Sequence, residues 1–343
     1  MGESAALAAR ARYLVTGGAG FIGSHFVRET LRRFSGARVT VLDKLTYAGN
    51  LQNLEEFRDD ERFAFVRGDI CDRGLVGPLV AESDIVVNFA AETHVDRAIG
   101  DPGSFVQTDV YGAYILLEAA RESATKRFVQ ISTDEVYGEI LGDAATEEAP
   151  LLPRNPYSAS KAGGDRLAYS YHATYGMPVV VTRCSNNYGP HQHPEKLVPL
   201  FVTNALEGRP LPVYGSGLNV RDWIHVRDHV GALHAIIEAE GVEGQVFNIA
   251  GRNERSVLDI TGGILDALGK PRDLIRHVKD RPGHDRRYAI DDAKLRRATG
   301  WSPSVPFEAG LRETVHWYRQ NRSWWETIKS GVFQDYYRKQ YGS

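Results

Sequence analysis

The stretch Thr16-Gly17-Gly18-Ala19-Gly20-Phe21-Ile22-Gly23 follows the apolar run Tyr13-Leu14-Val15 and opens a segment of helical spacing from about Phe21 to Phe34. Gly18, Gly20 and Gly23 satisfy G-x-G-x-x-G, and Gly17, Gly20 and Gly23 also give G-x-x-G-x-x-G. Glycines at a strand-to-helix turn let backbone approach a pyrophosphate and let the helix pack closely on the strand. The helix N-terminus adds N–H donors and the positive end of its dipole. Asp43 ends the next apolar run, about twenty positions past Gly23, where a carboxylate accepts from ribose hydroxyls and repels an added 2′-phosphate. These cues point to a dinucleotide site that prefers NAD to NADP. Asp69, in Gly68-Asp69-Ile70 after the third run, is placed either to bond an adenine amino group or in a surface turn.

Outward from this loop, apolar runs recur at Val39–Leu42, Phe63–Val66, Ile85–Val87 and Phe128–Ile131. Such runs, rich in β-branched residues, suit strands buried on both faces of a parallel sheet. Helical spacing from about Ser104 to Arg121 and from about Ser158 to Tyr175 alternates with them, and Val179–Val181 and Val246–Ile249 read as further strands. Strand–helix alternation is the βαβ signature. The expected fold is therefore α/β: a Rossmann-type doubly wound parallel sheet with a smaller C-terminal α/β substrate-binding domain. We expect an NAD-binding domain at 11–188 with a return segment near 222–251, and a nucleotide-sugar-binding domain from 189–221 and 252–330. The Trp317, Trp324 and Trp325 group is expected to close the C-terminal core.

Composition narrows the class further. The 343 residues carry 41 basic and 44 acidic side chains, a formal charge of −3, which argues against a nucleic-acid binder. No apolar run reaches the roughly 20 residues needed to span a membrane. Two cysteines are too few for a disulfide framework, and the first ten residues lack a secretory pattern, so a cytoplasmic protein is expected. His191, His193 and Glu195 lie among prolines with no cysteine nearby, so no metal site is expected. Cys184, without a local base, reads as a small packed residue.

Chemistry is suggested at two places. Tyr157 and Lys161 are four residues apart and share one helix face. A nearby cation stabilises phenolate, so Tyr157 is expected to have a lowered pKa and to act as a base. The competing reading is a half-buried tyrosine beside a solvated lysine. Asp134 and Glu135, in Ser132-Thr133-Asp134-Glu135-Val136-Tyr137-Gly138, follow the fifth strand, where ligands bind in open parallel sheets. Taken separately, either acid also fits a solvated turn or a helix cap.

The glycine loop, Ala90-Ala91-Glu92-Thr93-His94-Val95-Asp96-Arg97, Thr133-Asp134-Glu135 and Tyr157 with Lys161 together resemble the extended short-chain dehydrogenase/reductase superfamily, and within it the dTDP-glucose 4,6-dehydratase family. The resemblance continues through Arg183–Pro190, His193–Leu197, Asn219–Trp223 and Asp280–Tyr288 and covers about residues 11 to 325. It implies dehydration of dTDP-glucose, or of a close nucleotide sugar, to the 4-keto-6-deoxy sugar. Tyr157 would be the base at the C4 hydroxyl, with Thr133 orienting that hydroxyl. Glu135 would be the base at C5 and Asp134 the acid at the C6 hydroxyl. A homodimer joined through the helices from Ser104 and Ser158 is implied as well.

The resemblance also implies a binding residue set. Around NAD it puts Gly17, Gly20, Phe21, Ile22, Gly23, Asp43, Lys44, Thr46, Asp69, Ile70, Ala90, Ala91, Glu92, Thr108, Tyr157, Lys161 and Asn187. Around the nucleotide sugar it puts Thr93, His94, Thr133, Asn186, Lys196, Leu197, Pro212, Val213, Tyr214, Arg221, Asn253, Asp280, Arg281 and His284. Arg286 and Arg287 read as a solvated basic turn. Thr93 stands where the family more often has Ser, and Asp109 where it usually has Asn. A 4-epimerase or decarboxylase on the same scaffold would share the glycines and the Tyr/Lys pair without needing Asp134 and Glu135. A catalytically silent NAD-binding protein would need none of these acids and bases.

Overall fold

A computed structural model describes residues 2–123, 125–281, 283–330 and 337. Pro282, quoted above in the Asp280–Tyr288 segment, lies outside the described residues. The strands of the large sheet are β1 (Arg12–Thr16), β2 (Arg38–Asp43), β3 (Phe63–Arg67), β4 (Ile85–Asn88), β5 (Arg127–Thr133), β6 (Val179–Cys184) and, after three strands of smaller sheets, β10 (Val246–Ile249). They are parallel throughout, in the order β10-β6-β5-β4-β1-β2-β3.

Alternation along each strand sends side chains to opposite faces. Tyr13, Val15, Ile85, Val87, Val129 and Val180 join one apolar layer; Leu14, Val86, Phe128, Val179 and Val181 join the other. The first layer is covered by α1 (Glu3–Ala8), α2 (Phe21–Arg33) and α9 (Val226–Glu238), and the second by α3 (Arg73–Ala81), α6 (Ala113–Glu122) and α7 (Pro156–Tyr175). Phe63–Val66 departs from the doubly buried expectation. β3 is the edge strand, and only part of its surface is covered.

The helix expected from Ser104 to Arg121 is not continuous. It comprises α5 (Pro102–Val106), a π-helical segment Gln107–Gly112 and α6. The wide turn packs against α7 where Gly164 leaves room: a Cβ there would lie 2.3 Å from the Asp109 carbonyl oxygen. A π segment often marks a functional position. The helix expected from Ser158 begins at Pro156, with the Asn155 side chain accepting from the Ser158 N–H.

β7 (Asn186–Tyr188) leaves the large sheet and pairs with β9 (Val220–His225), which also pairs with β11 (Glu254–Ser256). β8 (Leu211–Tyr214) pairs with β12 (Ile275–Val278). Helices α8 (Leu197–Leu206), α10 (Val257–Leu268), α12 (Phe307–Gln320) and α13 (Arg322–Ile328) enclose a separate apolar core around Phe201, Trp223, Tyr318 and Trp325. Trp324 closes one side of this core and donates from Nε1 to Asn53 Oδ1 at 3.0 Å, which ties the C-terminal helices to the cofactor half. Two short helices, α4 (Val95–Gly100) and α11 (Ala293–Thr299), complete the elements that bear on the site.

Candidate active site

Strand order reverses between β1 and β4, and the crevice at such a switch point is where open α/β sheets bind ligands. The glycine turn after β1 and the Ala90-Ala91 turn after β4 meet there. A Cβ on Gly23 would stand 2.4 Å from the Gly17 carbonyl oxygen, so the helix can approach its turn this closely only without a side chain. A cavity of about 320 Å³ runs from this turn to the ends of β5 and β6.

All the residues expected around NAD line that cavity. Asp43 sits at its wall, accepting from Ala19 N–H at 3.0 Å and Leu45 N–H at 2.8 Å. Each carboxylate oxygen keeps a second lone-pair direction for a ribose hydroxyl. Asp69 is paired with Lys44 at 2.6 Å and accepts from Cys71 N–H at 3.0 Å, so it is more than a plain surface turn. The Gly-lined cradle, the helix N-terminus and this acid suit a dinucleotide. Asn187 lines the same wall, but its amide is turned to the Ser185 carbonyl and to His229.

The chemistry-bearing residues gather at the other end of the cavity. Thr133 ends β5 and caps the 3-10 turn Asp134–Tyr137, accepting from Glu135 N–H at 3.3 Å. Its hydroxyl also donates to Asp134 Oδ1 at 3.1 Å. Asp134 is buried, and its Oδ2 has no hydrogen-bond partner among the described residues. Burial, and then the charge of Glu135, push its carboxyl well above the usual range. Glu135 is only partly covered and lies 3.4 Å from the Ser158 hydroxyl. One turn therefore carries two carboxyls in unlike surroundings.

Tyr157 and Lys161 lie on α7 opposite that turn. Lys161 is buried and donates from Nζ to the Ile131 carbonyl at 2.7 Å. The lowered phenol pKa expected from their spacing is overturned. Burial, then the charges of Glu135 and Asp109, raise the Tyr157 phenol well above its ordinary value. Spacing counted the cation and missed the carboxylates that the fold brings in.

A second, smaller cavity adjoins the first, and Val95, Glu135 and Asn186 line both. Arg221, Arg281 and His284 line it together with Asn155, Asp285 and Tyr288. Arg281 bonds Asp96 at 3.3 Å and lies over the Tyr214 ring at 5.3 Å. Arg221 lies over the Tyr288 ring at 4.2 Å. Lys196 donates to Thr93 Oγ1 at 2.8 Å at the mouth of the first cavity, beside His94, whose φ of 101° turns the chain sharply. Lys196 in the first cavity and Arg221 and Arg281 in the second thus line the two cavities that Glu135 joins.

Several expected substrate residues lie elsewhere. Val213 is fully buried in the C-terminal core, and Pro212 is buried beside it, because β8 turns inward there. Leu197 opens α8 and packs on the same core. Asn253 turns its amide to the Gly251 carbonyl at 2.7 Å. Tyr214 and Asp280 stand behind the second cavity, the first donating to Asp96 and the second paired with His284. Arg287 is no solvated turn: it bonds Glu254 and the carbonyls of Ile140 and Gly142. Residues that the sequence reading missed include Asn155, Tyr288 and Gln192. Asn155 carried a signal, since Asn before Pro at a helix start is a cap.

The comparisons agree with this geometry. The sequence profile of a family described as GDP-mannose 4,6 dehydratase matches residues 14–314. A dTDP-glucose 4,6-dehydratase of Streptomyces niveus is 55% identical over 323 residues, covering 93% of this chain and 96% of the relative. One of Neisseria meningitidis is 50% identical, covering 94% of this chain and 97% of the relative. The crystal structure of a dTDP-glucose 4,6-dehydratase from Streptomyces venezuelae, with NAD bound, superposes with a TM-score of 0.91 at 50% identity, covering 93% and 100% of the two chains. A UDP-glucuronic acid 4-epimerase of Bacillus cereus superposes with a TM-score of 0.86 at 30% identity, covering 90% and 99%. The scaffold is thus common to dehydratases and epimerases, but identity is far higher to the dehydratases along nearly the whole chain. On that similarity, the chain belongs to the dTDP-glucose 4,6-dehydratase family of the extended short-chain dehydrogenases/reductases.

Proposed function

We propose that this protein is an NAD-dependent lyase that converts dTDP-glucose to dTDP-4-keto-6-deoxyglucose. The observation that carries the reading is the pair of adjacent carboxyls in unlike surroundings, Asp134 buried and Glu135 open to both cavities, set opposite Tyr157. NAD, when bound, supplies a hydride acceptor for C4 of the glucose and a hydride donor for C6. The residues of this chain do the rest.

Thr133 orients the C4 hydroxyl, and Tyr157 Oη takes its proton. Lys161 fixes the cofactor ribose and keeps a positive charge near the phenol. Oxidation at C4 acidifies the C5 proton, which Glu135 removes; once C6 has received its hydride, a proton exchanged with solvent returns to C5. Asp134, held as the neutral acid by burial, donates to the leaving C6 hydroxyl. Environments that separate the pKa values of two neighbouring carboxyls are how a site assigns one as acid and the other as base. Lys196, Arg221 and Arg281 hold the diphosphate through charged hydrogen bonds. The large sheet serves the cofactor, and the part built on β7–β9 and the C-terminal helices serves the nucleotide sugar.

We place the enzyme in the cytoplasm, where Cys71 and Cys184, both unpaired here, remain thiols. Among the described residues no helix is long and apolar enough to cross a membrane. We further propose a homodimer. Val106 at the end of α5, Tyr111 on the π segment before α6, and Tyr169 on α7 present exposed apolar side chains. Sedimentation of the purified chain tests the dimer, since a monomer at all concentrations contradicts it.

Incubation with dTDP-glucose and UDP-glucose in parallel tests the activity. The expected product, from dTDP-glucose, has lost water and absorbs in alkali as a 4-keto sugar. An epimer of unchanged mass would instead favour the epimerase reading.

A further inference from the structure

Asp109 lies in the π segment, is 3% exposed, and sits between the cofactor cavity and α7. Its Oδ1 accepts from Glu92 N–H at 3.1 Å, and its Oδ2 lies 2.6 Å from the Ser160 hydroxyl oxygen. That same hydroxyl oxygen lies 2.8 Å from the Tyr157 carbonyl oxygen. Three oxygens form a chain: Asp109 Oδ2, Ser160 Oγ, Tyr157 O. A serine hydroxyl has one proton, while an ionised carboxylate and a carbonyl only accept. With Asp109 ionised, one of the two contacts lacks a proton. With Asp109 protonated, its O–H donates to Ser160, and Ser160 donates to Tyr157 O, so both contacts are hydrogen bonds.

We propose that Asp109 is a pH-sensitive positioning residue for the Tyr157–Lys161 pair: as a carboxylic acid it completes the chain through Ser160 to Tyr157, and as a carboxylate it breaks the chain and sets a negative charge near the phenol. The role in turnover rests on the dehydratase reading above. Burial moves the Asp109 carboxyl up to about 6, with Lys161, the Ser160 hydroxyl and the Glu92 N–H opposing, so both forms are reached around neutral pH. The groups that face this assembly are Lys161 from α7 and Glu92 from the turn after β4. Tyr157 is also faced by Glu135 and Asp134 from the turn after β5 and by Cys184 from β6. Glu92 in turn is faced by Lys44, Arg97 and Asp101. A carboxylate at Asp109 opposes phenolate at Tyr157, so rising pH handicaps the base just as solvent would otherwise favour its ionised form.

Asp109→Asn tests this, because the amide presents an N–H to Ser160 and a C=O to Glu92 with no charge at any pH. The readout is the ring-carbon resonance of Tyr157 in the NAD-loaded enzyme with labelled tyrosine, identified by its loss in Tyr157→Phe and followed against pH. The wild type is expected to show a step near the Asp109 titration that the Asn variant lacks. The phenol itself is expected to titrate lower in the variant by on the order of one pH unit. The acid limb of kcat/KM for dTDP-glucose should move the same way, with KM unchanged. Identical Tyr157 titrations in the two proteins overturn the proposal. If the variant does not fold, the wild type decides alone: the Tyr157 step must coincide with loss of a protonated aspartic C=O stretch in the infrared, and no such step overturns it. The resonance needs no substrate, so a chain inactive on dTDP-glucose contradicts the dehydratase reading without touching this result.

Discussion

Asp134 and Glu135 are consecutive, yet Thr133 treats them differently: its hydroxyl donates to the Asp134 carboxyl at 3.1 Å and accepts the Glu135 backbone N–H at 3.3 Å. The first carboxyl is buried at the wall of the first cavity, and the second is more open and lines both cavities. A 3-10 turn capped by one threonine is enough to give two neighbouring acids opposite surroundings, and the division of proton transfer in the proposed reaction depends on it.

Replacing the more open member tests the base. Glu135→Gln is expected to lower dehydration by about 10²–10⁴-fold, the ordinary range for a lost general base. NAD binding should be unchanged, because the side chain lies at the sugar end. Exchange of the C5 proton with solvent deuterium, followed by NMR, checks the assignment, and unchanged exchange rejects it.

The buried member carries a pH prediction. Burial, then the Glu135 charge, raise the Asp134 carboxyl in the folded protein above its value in the unfolded chain. The stability it contributes is thus fully present below the unfolded value and is lost as pH rises through the folded one. Asp134→Asn removes this loss, so at alkaline pH the variant should melt higher than the wild type while eliminating water more slowly. A variant that melts lower at alkaline pH contradicts a neutral Asp134.

Beneath the same turn, Arg183 donates to Asp165 at 2.8 Å and 3.0 Å and to the Tyr137 hydroxyl at 2.6 Å, all of them buried. Removing one partner strands the other charge. Arg183→Met is expected to cost about 3–5 kcal/mol in denaturant unfolding. Burial works against the Asp165 charge, but Arg183 and Arg166 hold the carboxyl below its usual range. Its contribution is present above the unfolded pKa and lost as pH falls through the folded one, so Asp165→Asn should flatten the acid side of the stability curve.

On the substrate side, Arg281→Leu removes a half-buried cation from the second cavity. Loss of a charged hydrogen bond is worth about 1.5–3 kcal/mol, so KM for the nucleotide sugar should rise roughly ten- to hundredfold. The rate at saturation should change little. A fall in kcat alone would move Arg281 from binding to chemistry.

Much of this site was legible in the chain because its signals are local. The glycine turn, Asp43, the Thr133-Asp134-Glu135 turn and the Tyr157/Lys161 spacing each lie within one turn or one strand end, where sequence offset fixes geometry. What the chain did not disclose is non-local. Tyr157 was expected to be acidified by Lys161, but burial, and then the charges of Glu135 and Asp109 from other elements, push the phenol the other way. Val213, which the resemblance puts near the nucleotide sugar, is buried in the C-terminal core, where β8 pairs with β12. The π segment at Gln107–Gly112 leaves no mark in an apolar periodicity, since one widened turn only shifts the register. It packs closely against Gly164 on a different helix, a contact that no local period reports.

The central claim is that this chain eliminates water across C5 and C6 of dTDP-glucose, with Glu135 as the base. Mass spectrometry and NMR of the product formed in deuterated water test it most directly. The account predicts a 4-keto-6-deoxy sugar, lighter by one water and carrying solvent deuterium at C5, and no such product from Glu135→Gln. A sugar nucleotide of unchanged mass, or full deuterium incorporation at C5 by the variant, would contradict it.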